Sequence, residues 1–360
     1  MKQKVLMLCM LFIPVLSIYA HQFERDKTLT ESFKILPKTE ISVSNKYGNI
    51  TINNWDQAEV KFDIKVIVRG TNVDRVNKII RNIDANFSAS DSLIHCQTVL
   101  SSDKNKFFAD LSGFFKKGSD IHIDINVYLP ANNSLKIYNK HGNIYFKDYA
   151  GALNITLTHG SLKADKFHGK LQLVLNSANA SIIHLANAEI KCSEAYINFR
   201  NVGKVNIDSK YSKIKCDKAR ELILTSKRDN FYLGNIEQIK GESASSNIQL
   251  DQLSNSLDLE TKYGELVVDK IVPSFKEFNL NSVSTSISTI FDEKSTYEIQ
   301  LEYNRKSTVY YSDSLSFYQM IISGDNDDQY KVTGTYGIGG HLDSFVKITQ
   351  KSGNIEIINK

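Results

Sequence analysis

One register repeats down this chain and limits it to stacked strands. Around Gly142, Leu135 and Ile137 stand seven and five places before the glycine, and Ile144 and Phe146 two and four places after it. The same four apolar places flank Gly160 (Leu153, Ile155, Leu162, Ala164), Ala178 (Leu171, Leu173, Ala180, Ile182) and Ala195 (Ala188, Ile190, Ile197, Phe199). They recur at Ser212 (Val205, Ile207, Ile214, Cys216), Asp229 (Leu222, Leu224, Phe231, Leu233) and Gly264 (Leu257, Leu259, Leu266, Val268). Ser246 keeps Ile239, Ile248 and Leu250, with Gly241 in the remaining place. By subtraction of these positions the corners lie 18, 18, 17, 17, 17, 17 and 18 residues apart. Apolar and polar residues alternate within each arm, which is the pattern of a strand with one buried face.

Each repeat therefore supplies two short strands, too few to be stable in water alone. Stacking successive repeats lets the inward side chains form continuous columns, each fully buried Leu or Ile contributing roughly 1.5–3 kcal/mol. The sequence predicts an all-β solenoid with 17–18-residue rungs. An antiparallel meander would place the same residues on one face, but Ser177-Ala178, Glu194-Ala195 and Ser245-Ser246 are poor hairpin turns. The organisation expected is a targeting segment over 1–20, a first repeat over 21–56, an inserted strand-helix-strand module over 57–130, and solenoid repeats with a C-terminal cap over 131–360. The first repeat carries Ile41 and Val43 before Lys46-Tyr47-Gly48, then Ile50 and Ile52. Within the module, Val73, Val76, Ile79, Ile80 and Ile83 predict a helix over Asn72–Phe87, with Asn72 as its N-cap. Phe107, Phe108, Phe114 and Phe115 mark an aromatic loop. A last repeat, with Val346 and Ile348 before the corner and Ile355 and Ile357 after it, ends the chain.

Lys2, Lys4, the apolar run Val5–Ile18 and Ala20 read as an export signal, and no later stretch is long and apolar enough to span a membrane. The protein is thus expected to be exported, to the periplasm or the cell surface. Removing Lys2 and Lys4 from the 44 basic residues leaves 42 against 40 acidic ones. That balance does not fit a nucleic-acid binder, which concentrates basic charge. Beyond the leader, Cys96, Cys192 and Cys216 are odd in number and far apart, so no disulfide framework is expected. The histidines lack metal-ligand spacing, and neither a metal nor a cofactor is expected.

The stretch Ile41-Ser-Val-Ser-Asn-Lys-Tyr-Gly-Asn-Ile-Thr-Ile-Asn-Asn-Trp55, followed by the interrupting module, resembles the putative adhesin domain family of bacterial envelope proteins. Tyr128-Leu-Pro130 and Lys351-Ser-Gly-Asn-Ile-Glu-Ile357 add to the resemblance, which spans about Thr28 to Lys360. It implies an exported, single-stranded, right-handed β-helix fold and supplies no catalytic residue. Corners without glycine (Ala178, Ala195, Asp229) and the long 312–345 segment depart from the pattern.

Function points first to a non-catalytic, adhesin-like surface. The residues just before the corners are Lys46-Tyr47, Lys140-His141, Thr158-His159, Lys210-Tyr211, Lys227-Arg228 and Lys262-Tyr263, with Lys351 in the same slot at the end. In a solenoid like slots stack, so Lys46, Tyr47, Lys140, His141, His159, Lys210, Tyr211, Lys227, Arg228, Lys262 and Tyr263 would form a broken edge of cations and rings. Such an edge suits an anionic envelope glycan or a surface protein as partner. A wet corner of solubilising lysines would use the same residues. Two other classes remain. One is a scaffold docking through the inserted module. The other is a polysaccharide-cleaving β-helix enzyme using Glu242 and Glu260, in one outward slot of successive rungs, with Asp258 beside them.

Overall fold

The alternating arms become strands, and consecutive strands pair in parallel. The computed structural model describes residues 22–100, 119–324, 328–337 and 344–360. The expected targeting segment over 1–20 and the Phe107–Phe115 stretch fall outside the described residues. At the N-terminal end lie β1 (Phe23–Lys34), β2 (Glu40–Lys46), β3 (Ile50–Asn54), β4 (Glu59–Gly70), helix α1 (Val73–Arg81), β5 (Ile83–Ala89), β6 (Leu93–Leu100) and β7 (Asp120–Leu129). The regular stack follows: β8 (Leu135–Lys140), β9 (Ile144–Tyr149), β10 (Leu153–Thr158), β11 (Ser161–Asn176), β12 (Asn179–Ser193), β13 (Tyr196–Lys210), β14 (Lys213–Lys227), β15 (Asn230–Ile271) and β16 (Glu277–Phe291). At the C-terminal end are β17 (Tyr297–Asn304), β18 (Ser307–Tyr311), β19 (Ser316–Ser323), β20 (Gln329–Tyr336), β21 (Ser344–Gln350) and β22 (Gly353–Asn359).

Leu153 lies between Leu135 and Leu171, and beyond them Ala188, Val205, Leu222 and Ile239 continue the row. All of these pairings are parallel, so the regular repeats are not a meander. The result is a long, mostly parallel sheet of consecutive strands, the pattern of a β-solenoid. Seven positions per repeat point inward, three more than the alternation reveals. The third place before the corner (Leu157, Leu175, Cys192, Ser209, Ser226), the corner itself where it is not glycine (Ala178, Ala195, Ser212, Asp229, Ser246) and the seventh place after it (Tyr149, Phe167, Leu185, Val202) are also buried. Cys96, Cys192 and Cys216 are buried and free, and burial pushes each thiol up to about 12.

The helix is shorter than expected. Asn72 caps it by accepting from the Arg75 amide at 2.9 Å, but it ends at Arg81, and residues 83–89 form a strand antiparallel to β6. Ile83 and Phe87 satisfy a period of two as well as of 3.6, and pairing with β6 decides between them. Phe87 then packs against Phe33 and Phe62, with ring centroids 5.9 and 5.7 Å apart. Val76, Ile79 and Ile80 of the helix are buried in the same core.

At both ends spatial order departs from chain order. The pair β2/β3 is sandwiched between β8/β9 and the later pair β6/β7. At the other end β21/β22 insert between β16 and β17/β18, so the last repeat in sequence is not the last in space. Antiparallel strands then close the stack, β4 and β1 beyond β7, β5 beyond β6, and β20 and β19 beyond β17.

Candidate functional site

The corners share one backbone solution. At ten corners the residue just before the corner is left-handed: Tyr47 (φ 67°), His141 (56°), His159 (54°), Ser177 (46°), Glu194 (54°), Tyr211 (53°), Arg228 (59°), Ser245 (54°), Tyr263 (57°) and Ser284 (53°); in the last repeat Gly353 itself takes positive φ (114°). None of the ten is glycine, although the left-handed region costs an L-residue roughly 1–2 kcal/mol. The backbone ladder runs through the bend. The Tyr47, His141, Tyr211 and Arg228 amides donate to the carbonyls of Lys140, Thr158, Lys227 and Ala244 at 2.9–3.1 Å. At Gly142 and Gly160 the corner itself must be glycine, because a Cβ there would run into the carbonyl oxygens of Gly48 and Gly142.

The bend turns the left-handed side chains out of the stack, one above the other. Tyr47, His141 and His159 form a continuous ring stack, with centroids 5.5 and 5.0 Å apart and planes 6° and 12° from parallel. Lys46 Nζ sits 4.5 Å from the Tyr47 ring centroid, and Lys46 pairs in register with Lys140. Burial lowers the His141 pKa from its ordinary 6.5, and His159, Lys140 and Lys46 lower it further. Further along, Arg228 lies over the Tyr211 ring at 5.3 Å and donates to its hydroxyl, and Lys210 pairs in register with Lys227. Tyr263, 60% exposed, and Lys262 stand beyond the Ala244-Ser245 rung.

The structure thus gathers nine of the eleven expected residues into two groups, not one edge, and leaves Lys262 and Tyr263 apart from both. Lys46, Tyr47, Lys140, His141 and His159 form the first; Lys210, Tyr211, Lys227 and Arg228 form the second. Between them Ser177 donates to Glu194 at 2.9 Å, an acidic break in the column. Three rung steps, roughly 14 Å at ~4.8 Å each, separate His159 from Tyr211. Glu242 and Glu260 line an open groove of about 370 Å³ beside the second group, shared with Asp208, Lys210, Lys227 and Lys262. Asp258 does not line it. Lys240 instead pairs with Glu221 at 2.8 Å, as does Lys204 on the other side, and these two hydrogen bonds hold the Glu221 pKa below its usual range.

Beneath the second group lies a feature that the alternation of apolar residues does not signal. Asp229 is buried, and its carboxylate accepts from the Ser212 amide at 2.6 Å, the Lys227 amide at 3.0 Å and the Ser209 hydroxyl at 2.7 Å. Ser246 repeats the arrangement one rung on, accepting from the Asp229 amide at 3.0 Å, and Ser212 one rung back, accepting from the Ala195 amide at 3.1 Å. Each polar corner caps the amide of the preceding corner. Ser212, Asp229 and Ser246 at successive corner slots were the available signal.

No protein-family model and no curated protein matches this chain. Among solved structures it is similar to a putative cell adhesion protein from Clostridium sporogenes, at 11% identity over 93% of this chain and 100% of that one, with a TM-score of 0.17. It is also similar to a putative adhesin from Bacteroides fragilis, at 15% identity over 72% of this chain and 96% of that one, with a TM-score of 0.28. Among the described residues no helix is long and apolar enough to cross a membrane.

Proposed function

We propose that this is an exported, non-catalytic envelope protein whose corner column is an adhesin-like binding surface for an anionic glycan. In this reading the chain coils as a right-handed solenoid of 17–18-residue rungs, and the leader with Lys2, Lys4 and Val5–Ile18 directs export. The carrying observation is the run of ring and cation side chains held outward by left-handed backbone. Glycine would adopt that conformation without cost. Tyr47, His141, His159, Tyr211, Arg228 and Tyr263 occupy it instead. Flat rings offer sugar faces a stacking surface, and Lys46, Lys140, Lys210, Lys227 and Lys262 offer charge to carboxylates or sulfates. Lys210 beside Lys227 is a like-charge pair whose cost an acidic polymer would relieve.

The test is binding of an acidic polysaccharide, and of isolated envelope, as salt is raised. The wild type should lose affinity with salt. A variant carrying Lys210→Gln, Lys227→Gln, Arg228→Gln and Lys262→Gln should bind at least tenfold more weakly while melting at the same temperature. Equal binding by the two proteins would make the corner a solvated edge and nothing more.

A further inference from the structure

Beside the second group an acidic row accompanies the lysines. Four places before successive corners stand Asp208, Thr225, Glu242 and Glu260, and two places before the same corners stand Lys210, Lys227, Ala244 and Lys262. Register pairing aligns Asp208 with Thr225 and Thr225 with Glu242, just as it aligns Lys210 with Lys227. Alternate residues of a strand share a face, so the two rows run along the stack roughly 7 Å apart. All six charged side chains are exposed, and all six line the one open groove of about 370 Å³. The first group has no such row: Ser44, Tyr138 and Thr156 fill the corresponding places before Gly48, Gly142 and Gly160.

Elsewhere on the stack carboxylates and lysines satisfy each other. Lys170 pairs with Glu189 at 2.8 Å, and Lys204 and Lys240 both pair with Glu221 at 2.8 Å. In the groove they do not: among the described residues none of the six charges makes an ion pair. Like charges are neighbours within each row instead, Lys210 with Lys227 and Glu242 with Glu260 one rung on. We infer, building on the glycan-binding surface proposed above, that this groove takes a zwitterionic glycan, a polysaccharide carrying free amino groups as well as acidic ones. Its acidic groups lie over Lys210, Lys227 and Lys262, and its amines over Asp208, Glu242 and Glu260. A purely anionic polymer on the lysine row would lie against three carboxylates of its own sign, within the ~8 Å over which charges act in physiological salt. An amine on that side turns the repulsion into attraction. The rows are separate rather than mixed, so the ligand must present its two charges on opposite edges, as substituents across a sugar ring do. A peptide is the poorer occupant. Strands β13 and β14 are each paired on both sides and leave no open backbone edge for a peptide to extend.

Two polymers that differ only in their amines test this by titration calorimetry. One is heparin stripped of its N-sulfates, which bears free amines, carboxylates and O-sulfates; the other is the same polymer after N-acetylation. Acetylation removes positive charge alone, so a purely cationic edge would bind the acetylated polymer more tightly. A zwitterion-binding groove does the reverse. At mildly acidic pH, where the sugar amines are charged, the wild type should bind the free-amine polymer at least threefold more tightly. Glu242→Gln with Glu260→Gln should erase that preference without moving the melting temperature. Equal affinities, tighter binding of the acetylated polymer, or a preference that survives the two glutamines would overturn the inference and leave the anionic-glycan surface standing. Binding of neither polymer would remove both. An alternating Lys-Glu peptide that competes as well as the free-amine polymer would make the ligand a protein segment, and that too overturns it.

Discussion

Replacing Asp229 with alanine should remove about 3 kcal/mol of stability. The carboxylate serves three donors: the Ser209 hydroxyl and the amides of Ser212 and Lys227. The hydroxyl can turn to another acceptor, but the two amides are fixed by the bend. Each orphaned buried donor costs roughly 1–3 kcal/mol, so the pair costs about 2–6 kcal/mol. Relief of the carboxylate's own desolvation offsets part of this and places the expectation in the lower half. Asp229→Asn should fall between wild type and alanine. Its amide oxygen can still accept from Ser212, while its NH2 group would face the Lys227 amide, donor against donor. Urea unfolding separates these cases when followed by circular dichroism and by the fluorescence of Trp55, the chain's only tryptophan. Trp55 lies near the N-terminal end and Asp229 several rungs away, so coincident shifts of both signals would show one cooperative stack. Alanine and wild type unfolding at the same urea concentration, or asparagine costing more than alanine, would refute the capping argument.

Leu173→Asp places a lone carboxylate in a fully packed column, at several kcal/mol, and should abolish the folded circular dichroism spectrum; a wild-type melting curve would contradict the inward register. The lowered His141 pKa means that the folded chain binds fewer protons than the unfolded chain between that value and 6.5. The His141 contribution is therefore complete above about pH 6.5 and declines as pH falls through the lowered pKa, and His141→Asn should flatten that part of the Tm-against-pH curve. Acid should also strengthen glycan binding, because protonated His141 adds a cation to the column. Cys96, Cys192 and Cys216, with thiols pushed up to about 12 by burial, should resist alkylation in the native protein and react in urea; peptide mass spectrometry reads each site, and rapid native labelling of Cys192 would place it outside the column.

The stack was legible because its energetics are periodic. Leu153, Leu171 and Leu222 must face inward, and residues at fixed offsets from the corner announce that in one dimension. The corner interior was not legible by the same rule. Ser209, Ser212, Ser226, Asp229 and Ser246 sit in inward slots beyond the four that the alternation of apolar residues reveals. They are tolerated because the bend leaves corner amides in need of acceptors, a demand visible only once rungs are stacked. The extent of the helix failed for a third reason. Ile83 and Phe87 suit either period, and only the antiparallel partner β6 selects strand. The residues before the corners come together because like slots stack. Their division into two groups follows from Ser177 and Glu194, whose hydrogen bond turns the middle of the column acidic.

The two ends show how a repeat that could grow without limit is stopped. A regular stack leaves its last rung with one apolar column face and one open strand edge, and each further identical rung only moves the problem along. This chain reverses its own order at both ends. Strands β6 and β7 pass outside β2 and β3 before the chain returns to β8, and β17 and β18 take the outermost coil before β21 and β22 slip in behind them. The edge of β16 is therefore completed only by residues 344–359, the last strands of the chain. Growth from one end by nearest-neighbour addition cannot produce that arrangement, because the inner rung arrives after the outer one in sequence. The terminal coils are thus held by contacts far apart in the chain, and antiparallel strands cover β6, β7 and β17.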